Sequence, residues 1–293
     1  MAGSLAIDVE QLFAIDVHVH AGASQHDRDA EELQSAARKH FRTTEAPQTV
    51  DETAEYYRER RMACCIWGID PRDTTGRHHH AVDNDEMLEI AERHRDVFIP
   101  FVMVDPWRGR SGVADARRLI AAGARGFKFH PPVQAFYPNE RRFYELYEVI
   151  AEARLPALFH SGQTGIGAGV RGGAGIHLKY GNPMYLDDVA VDFPDMPIIV
   201  AHPSFPWQDE ALSVAVHKPH VYIDLSGWSP KYFPSQLVHY ANTLLKHKVL
   251  FGSDHPLITP DRWLKDFEGA PFRDEVRPLI LKDNALRLLG LEG

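Results

Sequence analysis

The sequence has little cysteine, no long apolar run and no excess of positive charge. Its two cysteines, Cys64 and Cys65, are adjacent, and neighbouring strand residues point to opposite faces and cannot readily form a disulfide. No apolar run approaches the roughly 18 residues of a membrane span, and no basic stretch followed by an apolar core stands at the N-terminus. We therefore expect a cytoplasmic protein with reduced thiols and no membrane partner.

Charge and composition exclude further classes. Lys and Arg number 32 against 41 Asp and Glu, and no local basic groove is visible, so nucleic acid is not expected as a partner. The 44% hydrophobic and 25% charged fractions are ordinary for a globular chain and exclude a mostly disordered one. The surplus is in histidine, since 17 of the 293 residues carry this metal-binding side chain, which titrates near neutral pH.

Short apolar runs alternate with segments of helical periodicity along the chain. Eight runs predict strands, at 14–20, 63–69, 98–103, 125–130, 157–160, 198–202, 221–225 and 249–252. Helical periodicity between them predicts helices, among them 83–95, 113–122, 141–153 and 183–193. Eight βα units predict one (β/α)8 TIM-barrel domain over residues 1–293. A doubly wound sheet is the alternative, weakened because no G-x-G-x-x-G motif follows an early strand.

Three long insertions should distort this barrel. They follow the first, second and fifth strands, at 22–50, 70–80 and 161–182, and residues 31–40 of the first have the pattern of a helix. The third insertion is rich in glycine, particularly at 162–175, and a long glycine-rich stretch in a compact domain is usually functional or mobile. We interpret it as a lid, with an ordinary flexible loop as the alternative.

Polar side chains end several of the predicted strands. In a βα barrel these ends meet at one face, where the active site lies. His18 and His20 are two residues apart on one strand, so both imidazoles can reach one metal ion. By itself such a pair is more often two surface or hydrogen-bonded histidines. Polar residues at or near the ends of the other strands make a metal site the favoured interpretation. These residues are Lys128, His130, His160, His202 and Asp254.

Three segments of the sequence, together with two histidines, resemble a known enzyme family. Residues 15–20 read Ile-Asp-Val-His-Val-His, residues 252–256 read Gly-Ser-Asp-His-Pro and residues 284–290 read Asn-Ala-Leu-Arg-Leu-Leu-Gly. Together with His160 and His202, they resemble the amidohydrolase superfamily. The similarity is to the amidohydrolase-related (amidohydrolase 2) group, which includes metal-dependent hydrolases and non-oxidative aromatic acid decarboxylases. It spans residues 15–291.

The resemblance implies a site as well as a fold. It implies one divalent metal ion held by His18, His20, His160 and Asp254, with His202 beside it as a catalytic acid and base. Zinc is the expected metal, and manganese, iron or cobalt suit the same ligands. Asp254 is a ligand and also a candidate catalytic base, because it would lie next to the metal-activated water; the alternative is that it is a ligand only.

Lys128 and His130 allow two interpretations. In the two-metal branches of the superfamily a lysine at this strand is carbamylated and bridges the metals. The simpler interpretation, which we prefer, is contact with the substrate, and a buried salt bridge is the alternative for Lys128. Because the two residues share a face of a strand, both should point to the pocket if either does.

Further substrate contacts are expected from the loops. Arg171 in the glycine-rich segment, with His177 and Lys179, is suited to a carboxylate or phosphate. Trp207 and Trp228 follow the sixth and seventh strands on the side of the site and favour a planar aromatic ligand, although aromatics also fill such loops for packing. Arg42 is a further basic candidate, and the triplet His78, His79 and His80 is expected to be solvated surface. The aromatic stretch 228–233 is either pocket wall or the interface of a homodimer.

The sequence thus predicts a metal-dependent hydrolase that attacks the carbonyl of an aromatic or acyl-aromatic small molecule. A retro-Claisen hydrolysis of an aryl β-ketoacyl-CoA is the specific reaction we favour. The alternative is a metal-dependent non-oxidative decarboxylase of an aromatic or enoic acid, in which His202 and the metal manage the proton and the carboxylate. A metal-binding protein without catalytic activity is a third possibility, disfavoured because Asp254 and His202 are both present.

Overall fold

The computed structural model describes residues 5–22, 48–75 and 82–292. Its strands form one eight-stranded sheet in sequential order, and each neighbouring pair from β1 to β8 is parallel. The strands are β1 Ala14–His20, β2 Met62–Gly68, β3 Phe98–Met103, β4 Gly126–Phe129, β5 Ala157–His160, β6 Ile198–Ala201, β7 Val221–Asp224 and β8 Val249–Leu250. Arg42, residues 31–40 and the triplet His78, His79 and His80 lie outside the described residues.

Helices connect the strands. In the described part of the chain they are α1 Val50–Glu59, α2 Asn84–Arg93, α3 Arg110–Ala121, α4 Pro131–Gln134, α5 Tyr144–Glu152, α6 Tyr185–Asp192, α7 Gln208–His217, α8 Ser235–Ala241, α9 Pro260–Glu268 and α10 Asn284–Leu289. No helix of this part is long and apolar enough to cross a membrane.

Backbone hydrogen bonds between the first and last strands close the sheet. Val17 N donates to Phe251 O at 3.0 Å, and Asp254 N donates to His18 O at the same distance of 3.0 Å. His20 N donates to His255 O at 2.8 Å. The predicted (β/α)8 barrel is therefore confirmed, and the ends of β1 and β8 are tied together at the face where the site was expected.

Two apolar layers fill the fold. One lies inside the barrel and holds alternate strand residues such as Ile99, Phe101 and Leu158, and the other lies between the strands and the helices. Cys64 belongs to the outer layer and Cys65 to the inner one, as the alternation predicts, and both are free and buried. Burial raises the pKa of both thiols well above its ordinary value, which keeps them protonated.

A β-bulge in β1 decides which residues face the site. The register against β2 shifts by one residue between Asp16 and Val19. Val17 packs in the inner layer and Val19 in the outer one, so His18 and His20 turn inwards while Asp16 turns outwards. Strict alternation counted back from His18 would place Asp16 on the same face as the histidines.

The predicted element ends differ from the observed ends by a few residues. The helix predicted from residue 83 begins at Asn84, because the Asp83 side chain accepts a hydrogen bond from Glu86 N and caps the helix. The predicted strands 198–202 and 249–252 end earlier, at Ala201 and Leu250. His202 and Asp254 have φ angles of 68° and 73°, in the left-handed region, and such residues cannot continue a strand.

The glycine-rich insertion after β5 forms a loop whose two ends are joined by a backbone hydrogen bond. Gly162 N donates to Gly181 O at 2.7 Å, and a Cβ atom added to Gly181 would lie 2.5 Å from Gly162 O. The loop contains two 3-10 turns, Arg171–Gly175 and Leu178–Gly181. The long connection predicted after the fifth strand is thus present, and its two ends meet beside the sheet.

Candidate metal centre

Three of the four predicted ligands converge at the ends of β1 and β8. His20 Nε2 lies 2.9 Å from Asp254 Oδ1, and His18 Nε2 lies 3.3 Å from the same oxygen. One donor atom from each residue falls within 4.8 Å of the other two. Two imidazole nitrogens and a carboxylate oxygen are donors that zinc and other first-row metals accept, so these residues fit a divalent ion.

Asp224 at the end of β7 orients His18. Its Oδ2 atom lies 2.6 Å from His18 Nδ1. Burial raises the pKa of Asp224 to about 8, and hydrogen bonds from Ser226 and the charge of Lys128 oppose the rise. With Asp224 ionised, Nδ1 of His18 carries the proton and Nε2 keeps its lone pair for a ligand. The pKa of His18 lies well below its ordinary value. Burial is the larger cause, and the positive charge of Lys128 is the next. The imidazole is therefore neutral, which is the form that binds metal.

Asp254 is held as an anion. Burial alone would raise its pKa, but a hydrogen bond from His20 and nearby positive charge, including that of Lys128, bring that pKa below its ordinary value. Its backbone is fixed by the hydrogen bond from Asp254 N to His18 O. An ionised carboxylate at this point is suited both to hold a cation and to accept a proton.

His160 and His202 form a second pair at the ends of β5 and β6. His202 Nε2 lies 3.0 Å from His160 Nδ1, and burial lowers the pKa of His202 to about 4. His160 Nε2 is buried, and among the described residues it has no hydrogen-bond partner. A buried nitrogen in this state is suited to be a ligand, but His160 is not one of the three converging donors. Its role as the fourth ligand stays a prediction.

Lys128 and His130 both reach the site, as their shared face predicts. The Nζ atom of the buried Lys128 lies 3.2 Å from His18 Nε2. Burial lowers the pKa of Lys128 to about 7. The His130 ring stacks on His160 with centroids 3.9 Å apart, and its Nε2 lies 3.3 Å from Thr164 Oγ1 in the glycine-rich loop.

The other predicted substrate contacts are exposed or half-buried. Arg171 is exposed on the glycine-rich loop and so stays outside the buried group of donors. Trp207 is half-buried at the start of α7, where its backbone N–H donates to Ser204 O. Trp228 packs against Phe205 with ring centroids 5.8 Å apart, and Phe205 is 43% exposed.

Several site residues escaped the sequence analysis. Trp67, at the end of β2, packs against His18 and His20 with centroids 4.8 Å and 4.7 Å away, and Lys128 Nζ lies 4.6 Å above its ring. Asp224 is the last but one residue of the predicted strand 221–225, so the strand-end argument could have identified it. Ser226 and Gly227 carry no such signal, because their importance comes from contacts across the barrel.

Asp16, on the outer side of β1, is another residue near the site that the sequence did not predict. Its carboxylate accepts hydrogen bonds from Tyr57 Oη at 2.7 Å, from Ser253 N at 2.9 Å and from Ser253 Oγ at 2.5 Å. Burial raises its pKa to about 6, and these hydrogen bonds oppose the rise. Through Ser253, which directly precedes Asp254, Asp16 ties the turn after β8 to β1.

The fold and the donor set define a class of protein: a TIM barrel with candidate cation ligands at the carboxyl ends of its strands. A family model described as amidohydrolase (amidohydrolase 2) matches residues 15–291. The chain therefore belongs to this family of enzymes, as the sequence resemblance predicts. No curated protein sequence matches the chain significantly.

Solved structures similar to this chain share the barrel. An uncharacterized TIM-barrel protein from Bordetella bronchiseptica is 20% identical, with a TM-score of 0.77 over 94% of this chain and 98% of that one. A probable 2-pyrone-4,6-dicarboxylic acid hydrolase from Acinetobacter baumannii, with citric acid bound, is 17% identical, with a TM-score of 0.61 over 94% and 99%. A dihydroxybenzoic acid decarboxylase from Polaromonas, with bound manganese and 2-nitroresorcinol, is 16% identical, with a TM-score of 0.64 over 96% and 97%.

Proposed function

We propose that this protein is a metal-dependent hydrolase that adds water to a carbonyl of an aromatic or acyl-aromatic substrate. The observation that carries the proposal is the convergence of His18 Nε2 and His20 Nε2 on Asp254 Oδ1, beside the neutral imidazole of His202. The His202 ring centroid lies 4.8 Å from that of His18, which places an acid and base beside the cation site. Zinc is the proposed metal, with manganese, iron or cobalt as alternatives.

Asp254, His202 and Lys128 have separate roles in the proposed reaction. A divalent ion held by His18, His20 and Asp254 would polarise a substrate carbonyl and lower the pKa of a water molecule. Asp254, ionised, accepts the proton of the attacking water. His202, neutral, takes this proton from Asp254 on the ring nitrogen that carries a lone pair and delivers it to the leaving group. Lys128 lies beside the donors as a hydrogen-bond donor to a substrate oxygen.

An aromatic substrate suits the rings near the site. Trp67 packs on the ligand histidines, while Phe205 and Trp228 form a tilted pair with partly exposed faces. Such an arrangement is suited to a planar group by stacking and edge contacts. Arg171 and Lys179 are proposed to meet the phosphates of a long acyl carrier such as coenzyme A.

The specific reaction that we propose is a retro-Claisen hydrolysis of an aryl β-ketoacyl thioester. Water adds to the keto carbon, and the bond between that carbon and the α carbon breaks. The electron pair passes to the α carbon as a thioester enolate, which takes a proton from His202. The products are an aromatic carboxylic acid and an acetyl thioester.

Decarboxylation is the second candidate, and the burial of Lys128 beside the ligand histidines favours it. A cationic amine at this depth is suited to hold the carboxylate of an aromatic acid. The bond between the ring and the carboxylate would break, CO2 would leave, and the ring carbon would take a proton relayed from solvent through His202. The similarity of the fold to that of a manganese-containing dihydroxybenzoic acid decarboxylase also favours this second candidate.

The test uses the metal-loaded protein with two substrate sets. Aroyl-acetyl thioesters should yield an aromatic acid and an acetyl thioester in chromatography, whereas hydroxybenzoates would yield CO2 if the second candidate is right. Metal analysis should find about one equivalent of a divalent first-row metal. Well under one equivalent would overturn the ligand assignment, and turnover of neither set would reject both reactions.

Two variants separate ligand from acid and base. His18→Ala should lose both metal and activity, whereas His202→Ala should keep its metal and lose activity. Equal metal loss in the two variants would make His202 a ligand.

A further inference from the structure

We propose that Ser226 is a positioning residue that holds His202 in the tautomer protonated on Nδ1. Two of its oxygens meet that nitrogen: the carbonyl oxygen lies 3.1 Å from His202 Nδ1, and the hydroxyl Oγ lies 2.9 Å from it. The role of this tautomer in catalysis rests on the proposed function, while the tautomer itself is a property of the chain alone.

The carbonyl decides which nitrogen carries the proton. A hydroxyl can donate or accept, but a carbonyl oxygen only accepts. Since Ser226 O lies within hydrogen-bond distance of Nδ1, Nδ1 must be the N–H of the neutral ring. Nε2 of His202 then keeps its lone pair.

Asp224 fixes the direction of the serine hydroxyl. Ser226 Oγ lies 2.8 Å from Asp224 Oδ2, and Ser226 N donates to Asp224 Oδ1 at 2.8 Å. The hydroxyl proton therefore goes to the carboxylate, and the oxygen lone pair faces Nδ1 of His202. Because Asp224 also accepts from His18 Nδ1, one buried carboxylate orients the ligand histidine directly and the acid and base histidine through Ser226.

The assignment continues to His160. With its lone pair on Nε2, His202 accepts the hydrogen bond from His160 Nδ1 at 3.0 Å. His160 is then protonated on Nδ1, and its buried Nε2 is the deprotonated nitrogen that has no partner among the described residues. A single set of hydrogen bonds thus leaves lone pairs on Nε2 of both His18 and His160, as ligands require.

The test observes the tautomer without metal or substrate. Metal-free protein labelled with 15N at histidine is studied by two-bond 1H–15N correlation, and the signals of His202 are assigned by their loss in His202→Gln. The expected result is an Nδ1 shift of the protonated type and an Nε2 shift of the unprotonated type. The reverse pattern in the wild-type protein would overturn the proposal whether or not any variant folds.

Ser226→Ala removes one of the two acceptors of Nδ1. We expect His202 to stay mainly protonated on Nδ1, because the backbone carbonyl still accepts, but its Nδ1 signal should shift measurably since one of the two acceptors is lost; bound metal should stay near the wild-type amount because Asp224 still accepts from His18. With a substrate that the enzyme turns over, kcat should fall about tenfold, the effect of one lost buried hydrogen bond, with KM little changed.

Ser229→Ala is the matched control, because its hydroxyl donates to Asp266 Oδ2 at 2.5 Å and lies three residues further along the same segment. It should leave the His202 signals and kcat unchanged. Unchanged His202 signals in Ser226→Ala would show that the hydroxyl does not position the ring. The proposed tautomer without turnover of either substrate set would reject the proposed function and leave this inference standing.

Discussion

His18 Nδ1 and Asp224 Oδ2 lie 2.6 Å apart, and neither side chain is more than 1% exposed. The two residues come from β1 and β7, which are 206 residues apart in the sequence. Their contact turns the other nitrogen of His18 towards Asp254 and so sets the geometry of the candidate metal centre. A carboxylate behind a ligand histidine raises its basicity and fixes its tautomer.

Asp224→Asn should weaken metal binding. The neutral amide accepts a hydrogen bond less strongly than a carboxylate, and its NH2 group can face His18 Nδ1 and favour the wrong tautomer. We expect metal affinity to fall about 10- to 100-fold, measured by competition with a chromophoric chelator. Asp266→Asn, at a carboxylate that accepts from Ser229 instead, is the control and should bind metal as the wild type does. Equal affinities for all three proteins would contradict an orienting role of Asp224.

Gly227→Ala should impair catalysis through His202. A Cβ atom at residue 227 would lie 2.6 Å from His202 Nδ1, and the residue has a φ of +73°, which favours glycine. The ring must move to accommodate the methyl group, so we expect kcat to fall at least about tenfold. Gly290→Ala, with a φ of +64° and nothing within 4 Å of its added Cβ, carries a similar backbone cost without the contact. It should keep the wild-type kcat; an equal loss in both would point to backbone strain alone.

Lys128→Met should separate substrate binding from metal binding. The amine lies within hydrogen-bond distance of His18 Nε2, the atom proposed to face the metal. Without it, metal affinity should stay the same or rise, whereas kcat/KM for a carboxylate-bearing substrate should fall about 100-fold or more. Calorimetry and steady-state kinetics measure the two effects, and the exposed Lys265→Met is the control. A loss of metal in Lys128→Met would favour the carbamylated, bridging role instead.

The stability of the metal-free protein should depend on pH through His255. Burial lowers its pKa to about 4, whereas an unfolded histidine has a pKa of 6.5. Between these values the unfolded chain binds a proton that the folded chain excludes, so the contribution of His255 to stability is full above 6.5 and is lost as pH falls towards 4. The change amounts to at most about 3 kcal/mol.

Urea unfolding of the wild type and His255→Gln tests this sign. The free-energy difference between them should fall as the pH is lowered from about 7.5 to about 4.5. Asp16, whose pKa is raised to about 6, contributes with the opposite sign and cancels in the difference. A difference that stays constant with pH would contradict the prediction.

The sequence was sufficient for the fold because its signals are local. The periodicity of two along a buried strand and the helical periodicity between strands are set by neighbours in the chain, and eight repeats leave little choice of architecture. Element ends were less well predicted. His202 and Asp254 leave their strands in left-handed conformations that are imposed by hydrogen bonds and packing across the barrel.

Some residues of the candidate site could be predicted from the sequence and others could not. His18, His20, Lys128, His130, His160, His202 and Asp254 were predictable because they stand at or just beyond strand ends, which a closed barrel brings to one face. Asp16 on the outer side of β1, and Ser226 with its two contacts, depended on a bulge and on strands far apart in the sequence.

The sequence alone thus determined the barrel, the family and the residue types gathered at one rim. Only the tertiary structure decided which nitrogen of each histidine faces the site, because that depends on the acceptor behind the ring. For His18 this acceptor is Asp224, and for His202 it is Ser226. Hydrogen bonds between distant strands have no periodic signature in a sequence, and here they fix the chemistry of the imidazoles.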